Sequence, residues 1–400
     1  MLLKDTQRIE LLDVCRGIAA LIIVVHHALA RFAPPGFLRP ASMTSGDIVE
    51  TAGRLLLWLP DRLNHEAVLF FFVLSGFCVH RRAAIGLASG RHEELNTLRF
   101  YVSRWLRLFP PLLTALLLTC LLDRIIPGTM TGSGPDLTST HTAGHGVSRW
   151  GWPAFLGNLT FGMPFFVPPY GSNEPLWALG YEAWYYLLYP VWFRLSVSLG
   201  GVTAFCLSLA VGAASALLVR DSGFPLYPVL STWWLWCLGS LLAELHARRY
   251  HVPLLDRVPA FWAIGAGSLL VAALTALPPR HSLVTYALWG PVLGFTIYKC
   301  AGKNDLRSNR IIAFFRFVGT LSYSIYVTHT PLLTSLMFGW AYLAGSPPHS
   351  LWLVFPGTIT ALLLGWTTYA WVEKPSKRFR SALQTALERA QGLRAGETAR

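Results

Sequence analysis

The chain has 400 residues, 53% of them apolar and only 13% charged, about half the charged share of a soluble protein. With 16 Trp, 14 Tyr and 23 Phe, this composition excludes an ordinary soluble enzyme and a disordered chain, and it points to a polytopic membrane protein. The net charge of +13 would suggest nucleic acid on a soluble domain, but here the basic residues must first be placed against a membrane.

The first apolar run, 17–30, ends in His26-His27-Ala28 with no small-residue cleavage site. It reads as a transmembrane helix rather than a signal peptide. A span needs about 20 apolar residues, so the uncharged stretch from Phe317 to Val372, broken at Gly345-Ser346-Pro347-Pro348, holds two. About ten spans follow in chain order, on 16–32, 66–80, 106–123, 175–193, 199–219, 227–246, 259–277, 282–300, 318–340 and 351–372. The expected fold is an all-α integral membrane protein. Segments 33–65 and 124–174 are read as its two long loops, the second rich in Gly, Ser, Thr and Pro. From Ser376 the chain reads as a basic amphipathic helix with Phe379, Leu383 and Leu387 on one face, suited to an anionic lipid surface. The chain therefore divides into a transmembrane domain at 1–375 and a cytoplasmic tail at 376–400, with no separate soluble domain expected.

With the N-terminus inside, 25 of the 33 Lys and Arg fall on inside segments and 8 on outside ones. Cytoplasmic loops attract basic residues, so the split supports an even number of spans with both termini in the cytoplasm, and a multi-pass protein of the inner (plasma) membrane is expected. It also accounts for most of the charge without nucleic acid. The six Cys form no Cys-x-x-Cys pair and read as small thiols in apolar runs. No metal set is expected.

An ionisable side chain at membrane depth is costly and is a functional candidate by default. Five places qualify. In the first span, Arg16 and His27 are almost three turns apart on one face, a rise of roughly 16 Å, and Asp13 stands one turn before Arg16. Phe70 to Phe77 contains Ser75-Gly76, read as a packing site that lets a helix approach closely. Arg104 and Arg107 share a face before Pro110-Pro111, suited to phosphate through the planar guanidinium or to simple flanking charge. Trp177 and Glu182 lie in Pro175-Leu176-Trp177-Ala178-Leu179-Gly180-Tyr181-Glu182, and Glu182 shares a face with Tyr186 and Tyr189. Ser322, Tyr326 and His329 line one face of a late helix, followed by Tyr369 and Glu373-Lys374-Pro375.

Taken together, these blocks resemble the membrane-bound acyltransferase 3 family, whose members acylate sugars, polysaccharides and some antibiotics. Arg16 with His27 matches the opening motif, Phe71-Phe72-Val73-Leu74-Ser75-Gly76-Phe77 the second block, and Arg104, Arg107 and Pro110 the arginine-pair block. Pro175-Leu176-Trp177 with Glu182 matches the Pro-Leu-Trp-Ser-Leu-Ser-Val-Glu-Glu block. Leu321 to Tyr326 with His329 matches the late helix, and Tyr369 with Glu373-Lys374-Pro375 the closing one. The chain departs from the pattern at Ala183, where the family has a second Glu, and at Gly180, where it has Ser.

The resemblance implies a membrane-bound O-acyltransferase. Its donor would be cytoplasmic acetyl-CoA or another acyl-CoA, with no permanently bound cofactor. Its acceptor would be a hydroxyl of a carbohydrate or related molecule at the periplasmic side. His27 would be the general base, with Glu182 orienting it, charge-pairing with it or assisting at the acceptor. Arg16, Arg104 and Arg107 would hold the donor's phosphates, and Asp13, Trp177, Tyr186, Tyr326 and His329 would bind substrate or support the site. Membrane lipids complete the partners. The competing reading is a proton-coupled transporter or exporter of a lipid-linked sugar or similar metabolite, which would also use intramembrane His, Glu and Arg. The absence of a visible internal repeat weakens it.

Overall fold

In the computed structural model, residues 9–35, 37, 48–90, 94–126, 129, 147–220, 222–250, 252–274, 283–301, 309–383 and 385 are described. Among them there is no β-strand. The helices run α1 (Glu10–Phe32), α2 (Ile48–Ala88), α3 (Thr97–Ile125), α4 (Trp152–Leu159), α5 (Leu176–Leu199), α6 (Gly201–Ala214), α7 (Tyr227–Ala247), α8 (Pro253–Arg257), α9 (Ala260–Leu274), α10 (Leu283–Ala301), α11 (Arg310–Ala344) and α12 (Val354–Thr368). α6 continues through a π-helical segment, Ser215–Val219, and α12 through another, Tyr369–Glu373. The chain stays helical from there to Leu383.

Local chemistry sets several ends. Asn96 and Asn309 accept hydrogen bonds from the backbone N–H groups of Arg99 and Ile312, satisfying orphan donors at the starts of α3 and α11. Gly345, with φ 72°, closes α11 in the left-handed conformation that glycine adopts without penalty.

Each of the ten expected spans overlaps one of these helices, with 275–277 and 282 outside the described residues. Among the described residues, six helical segments are long and apolar enough to cross a membrane: Glu10–Phe32, Leu57–Ala88, Thr97–Ile125, Gly201–Val219, Arg310–Ala344 and Leu351–Leu383. This is the character of a helical membrane protein. The expected spans on α5 and α7 carry Tyr and Trp in place of aliphatic side chains, and they bury Tyr181, Tyr185, Tyr186, Tyr189, Trp233, Trp234 and Trp236.

Two helix crossings organise the centre. α1 packs along α11, and α2 along α7. At the first, a Cβ on Gly17 would strike the Phe315 carbonyl, and one on Gly319 the Asp13 carbonyl. At the second, Gly76 lies against the Trp236 carbonyl and Gly239 against that of Val73. Small residues let backbones approach this closely where helices cannot rely on a hydrophobic driving force. The packing role expected of Ser75-Gly76 therefore holds for Gly76.

One segment differs from the expectation. Residues 48–65 are not loop but the opening turns of α2, a helix of 41 residues that is about 60 Å long at 1.5 Å per residue. Asp61, Arg62 and Glu66 end the apolar run in sequence, yet none of them breaks a helix. Arg62 and Glu66 are buried, and His26 Nδ1 lies 3.0 Å from Asp61 Oδ1, tying the extension to α1.

Residues 147–174 of the second long loop fold back on the bundle. Asp123 accepts from Ser172 N (2.8 Å), Ser172 Oγ (2.7 Å) and Trp150 Nε1 (3.1 Å). Asn173 donates to the Val327 carbonyl at 2.8 Å. Beside this clamp, burial lowers the pKa of Arg149, and the charges of Glu174 and Asp123 oppose the shift. Gly180 faces the Met163 carbonyl so closely that a Cβ would not fit. That is the physical reason this chain has Gly at a position where the resemblance leads one to expect Ser. The start of the expected tail, 376–383, is a continuation of the last helix, while Leu387 and the rest of 386–400 lie outside the described residues.

Candidate active site

α1, α2, α3, α11 and the extension of α12 surround a cavity of about 470 Å³ at the end of the bundle that carries Arg16. Five cationic side chains line it: Arg16, Arg81, Arg107, Lys377 and Arg380, with Asp13 and Glu373 as the acids. Both acids are already engaged. Asp13 accepts from Arg16 at 3.0 Å. Glu373 accepts from Ser324 at 2.6 Å and pairs with Lys377 at 2.6 Å. The surplus is positive, and guanidinium groups at this density match a polyphosphate. Of the arginines singled out in the sequence, Arg16 and Arg107 line this cavity, beside Arg81, Lys377 and Arg380, which the sequence presents only as flanking charge.

A second, smaller cavity of about 80 Å³ adjoins the first. The two share Arg16, Cys78, Arg107, Ser322 and Tyr323 as a neck. Beyond the neck the slot is walled by Val68, Phe71, Phe72, Leu74, Ala178 and Leu179, with Ser75, Glu182 and Tyr326 as its polar groups. Ser75 Oγ donates to Glu182 Oε1 at 3.0 Å, and Tyr186 OH donates to the same oxygen in a short hydrogen bond. Ser75 is therefore more than a packing residue. The hydrophobic run around it gave no hint of its partner, which lies 107 positions away.

Arg104 parts company with Arg107. Its guanidinium lies over the rings of Phe100 and Tyr186, at 5.3 and 5.6 Å from their centroids, while Arg107 lines both cavities. Trp177 sits in an aromatic group with Phe72 and Tyr181 and is stacked with His65 at 6.1 Å.

His27 is buried toward the other end of α1. Its ring centroid lies 4.9 Å from that of His26 and 5.1 Å from that of His329. Arg31 donates to the His27 carbonyl at 3.1 Å and reaches Nδ1 at 3.5 Å, and its Nε is anchored on Thr334 at 2.8 Å. His329 is fully buried, with Nδ1 near the Ile325 and Tyr326 carbonyls and Nε2 near Thr330 Oγ1. Tyr326 links this group to the slot. It lines the slot, packs 6.0 Å from His329 and donates to the Pro175 carbonyl at 2.7 Å. His27 itself lines neither of the two cavities.

His27 and Glu182 are thus not joined by a hydrogen bond. Glu182's bonds go to Ser75 and Tyr186. The reason is architectural: α1 packs on α2 and α11, whereas α5, which carries Glu182, packs on α2, α3, α6 and α7.

Sequence reasoning also passed over His80. It is fully buried, with Nε2 3.1 Å from Glu244 Oε1 and Nδ1 3.2 Å from Tyr189 OH, and Ser196 donates to the same Glu244 oxygen. This network joins α2, α5 and α7 outside both cavities. Among the described residues no group of His, Cys, Asp and Glu could hold a metal ion.

A family model described as an acyltransferase domain matches residues 9–370, nearly the whole chain. No curated protein matches the chain, and no solved structure does.

Proposed function

Because the chain belongs to this acyltransferase family, the acyltransferase 3 family, we propose that it moves an acyl group, expected to be acetyl, from a cytoplasmic acyl-CoA to a hydroxyl of a carbohydrate or related acceptor reached from the periplasmic side of an inner membrane. The observation that carries this reading is that the basic cavity and the smaller, more apolar one share a wall at Arg16, Cys78, Arg107, Ser322 and Tyr323. Phosphates suit the wide cationic part, and a thin, neutral arm suits the narrow apolar part.

In this reading Arg16, Arg81, Arg107, Lys377 and Arg380 hold the nucleotide end of the donor, with Asp13 fixing Arg16. The arm enters the slot and brings its thioester toward Tyr326. His27 removes the proton from the acceptor hydroxyl as its oxygen attacks the thioester carbonyl. The tetrahedral intermediate then expels the thiolate, which takes up the proton. An imidazole nitrogen suits the first step as proton acceptor. Arg31, held by Thr334, and His329 fix the His27 ring. Arg104 supports Tyr186 rather than the phosphates.

The transporter alternative has no specific observation in its favour. Sidedness tests the proposal. In inside-out vesicles, labelled acetyl-CoA offered to the exposed cytoplasmic face should yield acylated acceptor enclosed in the lumen, with no ion gradient. In right-side-out vesicles external donor should yield none. Consumption of donor from either face, or a need for both substrates on one face, contradicts the arrangement.

A further inference from the structure

We propose that Glu182 recognises the donor's arm, its Oε2 accepting a hydrogen bond from an amide N–H of a pantetheine-type chain threaded through the slot. This deepens the acyl-CoA reading above and rests on it.

The argument begins with how the carboxylate is held. Ser75 Oγ and Tyr186 OH both donate to Oε1, and the two hydroxyls lie 3.3 Å from each other. A carboxylate offers about four acceptor positions on its two oxygens. Both protein donors use one oxygen, and Oε2 receives no hydrogen bond from the described residues. Among the described residues Glu182 forms no ion pair within 4 Å, and Arg107, which lines the same slot, acts on it only from farther away. A charge in an apolar passage needs donors around it. Here half the group is fixed and the other half is left for an occupant.

The chemistry of the passage selects that occupant. Anionic groups are matched at the cationic end by Arg16, Arg81 and Arg107, and they would be repelled by Glu182 deeper in. A neutral chain carrying N–H donors meets neither objection. The arm of CoA has two secondary amides between its phosphates and its sulfur. An arm entering by the neck carries them past the stretch where Glu182 stands among Leu74, Phe72 and Leu179. Since Glu182 is not bonded to His27, its charge acts on the donor and not through the imidazole.

The test compares two ligands on the purified full chain in detergent. Adenosine 3′,5′-bisphosphate carries phosphates without the arm, and CoA carries both. For Glu182→Leu, CoA affinity should fall about tenfold, the range for losing one hydrogen bond to a charged group, and for Glu182→Gln, whose amide oxygen still accepts, by less, while the bisphosphate binds to both as to the parent. Arg107→Ala should weaken both ligands. Unchanged bisphosphate affinity also reports that the variants are folded. The inference is overturned if both Glu182 variants bind CoA like the parent and lose only turnover. It is equally overturned if they lose both ligands together. If the parent itself binds neither ligand, the acyl-CoA reading fails, and that outcome is distinct from the other two.

Discussion

The rings of His27 and His329 lie 5.1 Å apart at a 53° tilt, on α1 and α11, which pack along each other. The nearest groups to His329 Nδ1 are two backbone carbonyls, which only accept. That nitrogen therefore carries the hydrogen, and the ring is held in one tautomer beside His27. A histidine with both nitrogens engaged and no exposure to either cavity is built to position its neighbour.

His27→Ala should abolish transfer, by about a hundredfold or more for loss of a general base, while the protein still inserts and binds CoA. His26→Ala, which breaks the contact with Asp61, should cost less. Turnover and CoA titration on equal amounts of purified protein decide it. Activity of His27→Ala within about threefold of the parent would remove His27 from the chemistry.

His329→Ala should lower kcat with little change in KM for the donor, because His329 touches neither cavity. It should also lower thermal stability, by about 2 kcal/mol or more for a cavity left at a buried site. Loss of stability with an unaltered kcat would make it purely structural.

Arg107→Ala should weaken CoA binding about tenfold, whereas Arg104→Ala should leave CoA binding nearly intact and act on stability and turnover through Tyr186. Arg107 lines both cavities and Arg104 neither, although both guanidiniums interact with Tyr186. Equal losses of CoA affinity in both variants would mean that Arg104 also reaches the phosphates.

Cys78 lines the neck and is exposed, and Arg16 Nη2 lies 3.8 Å from its sulfur. N-ethylmaleimide should label it, CoA should slow the labelling, and the adduct should block donor binding. Peptide mapping separates it from Cys206, the other exposed thiol. Labelling of Cys78 at the same rate with saturating CoA would show that the neck is not the donor's path.

Gly180→Ser, which restores the residue expected from the family pattern, should destabilise this chain, by about 1–3 kcal/mol as overpacking does. The Met163 carbonyl occupies the space a side chain needs. A melting temperature equal to the parent's would contradict the described path of the 161–168 segment.

By itself the sequence determined the class of molecule. Sparse charge and long apolar runs dictate helices in a membrane, because unpaired backbone groups cannot be left in lipid. Order and spacing of the blocks from Arg16 to Pro375 were enough to mark the family, and helical rise alone put Arg16 and His27 at different depths on one face. What the sequence could not carry was any relation between helices. Ser75 meets Glu182 across 107 positions, His80 meets Glu244 across 164, and Ser324 meets Glu373 across 49. Nor does a chain of letters distinguish Arg107, which faces a cavity, from Arg104, which lies over Tyr186 three residues earlier. These pairings depend on where backbones can approach. Gly17 with Gly319 and Gly76 with Gly239 set those crossings, and the resulting rotation of each helix decides which polar face looks into the slot.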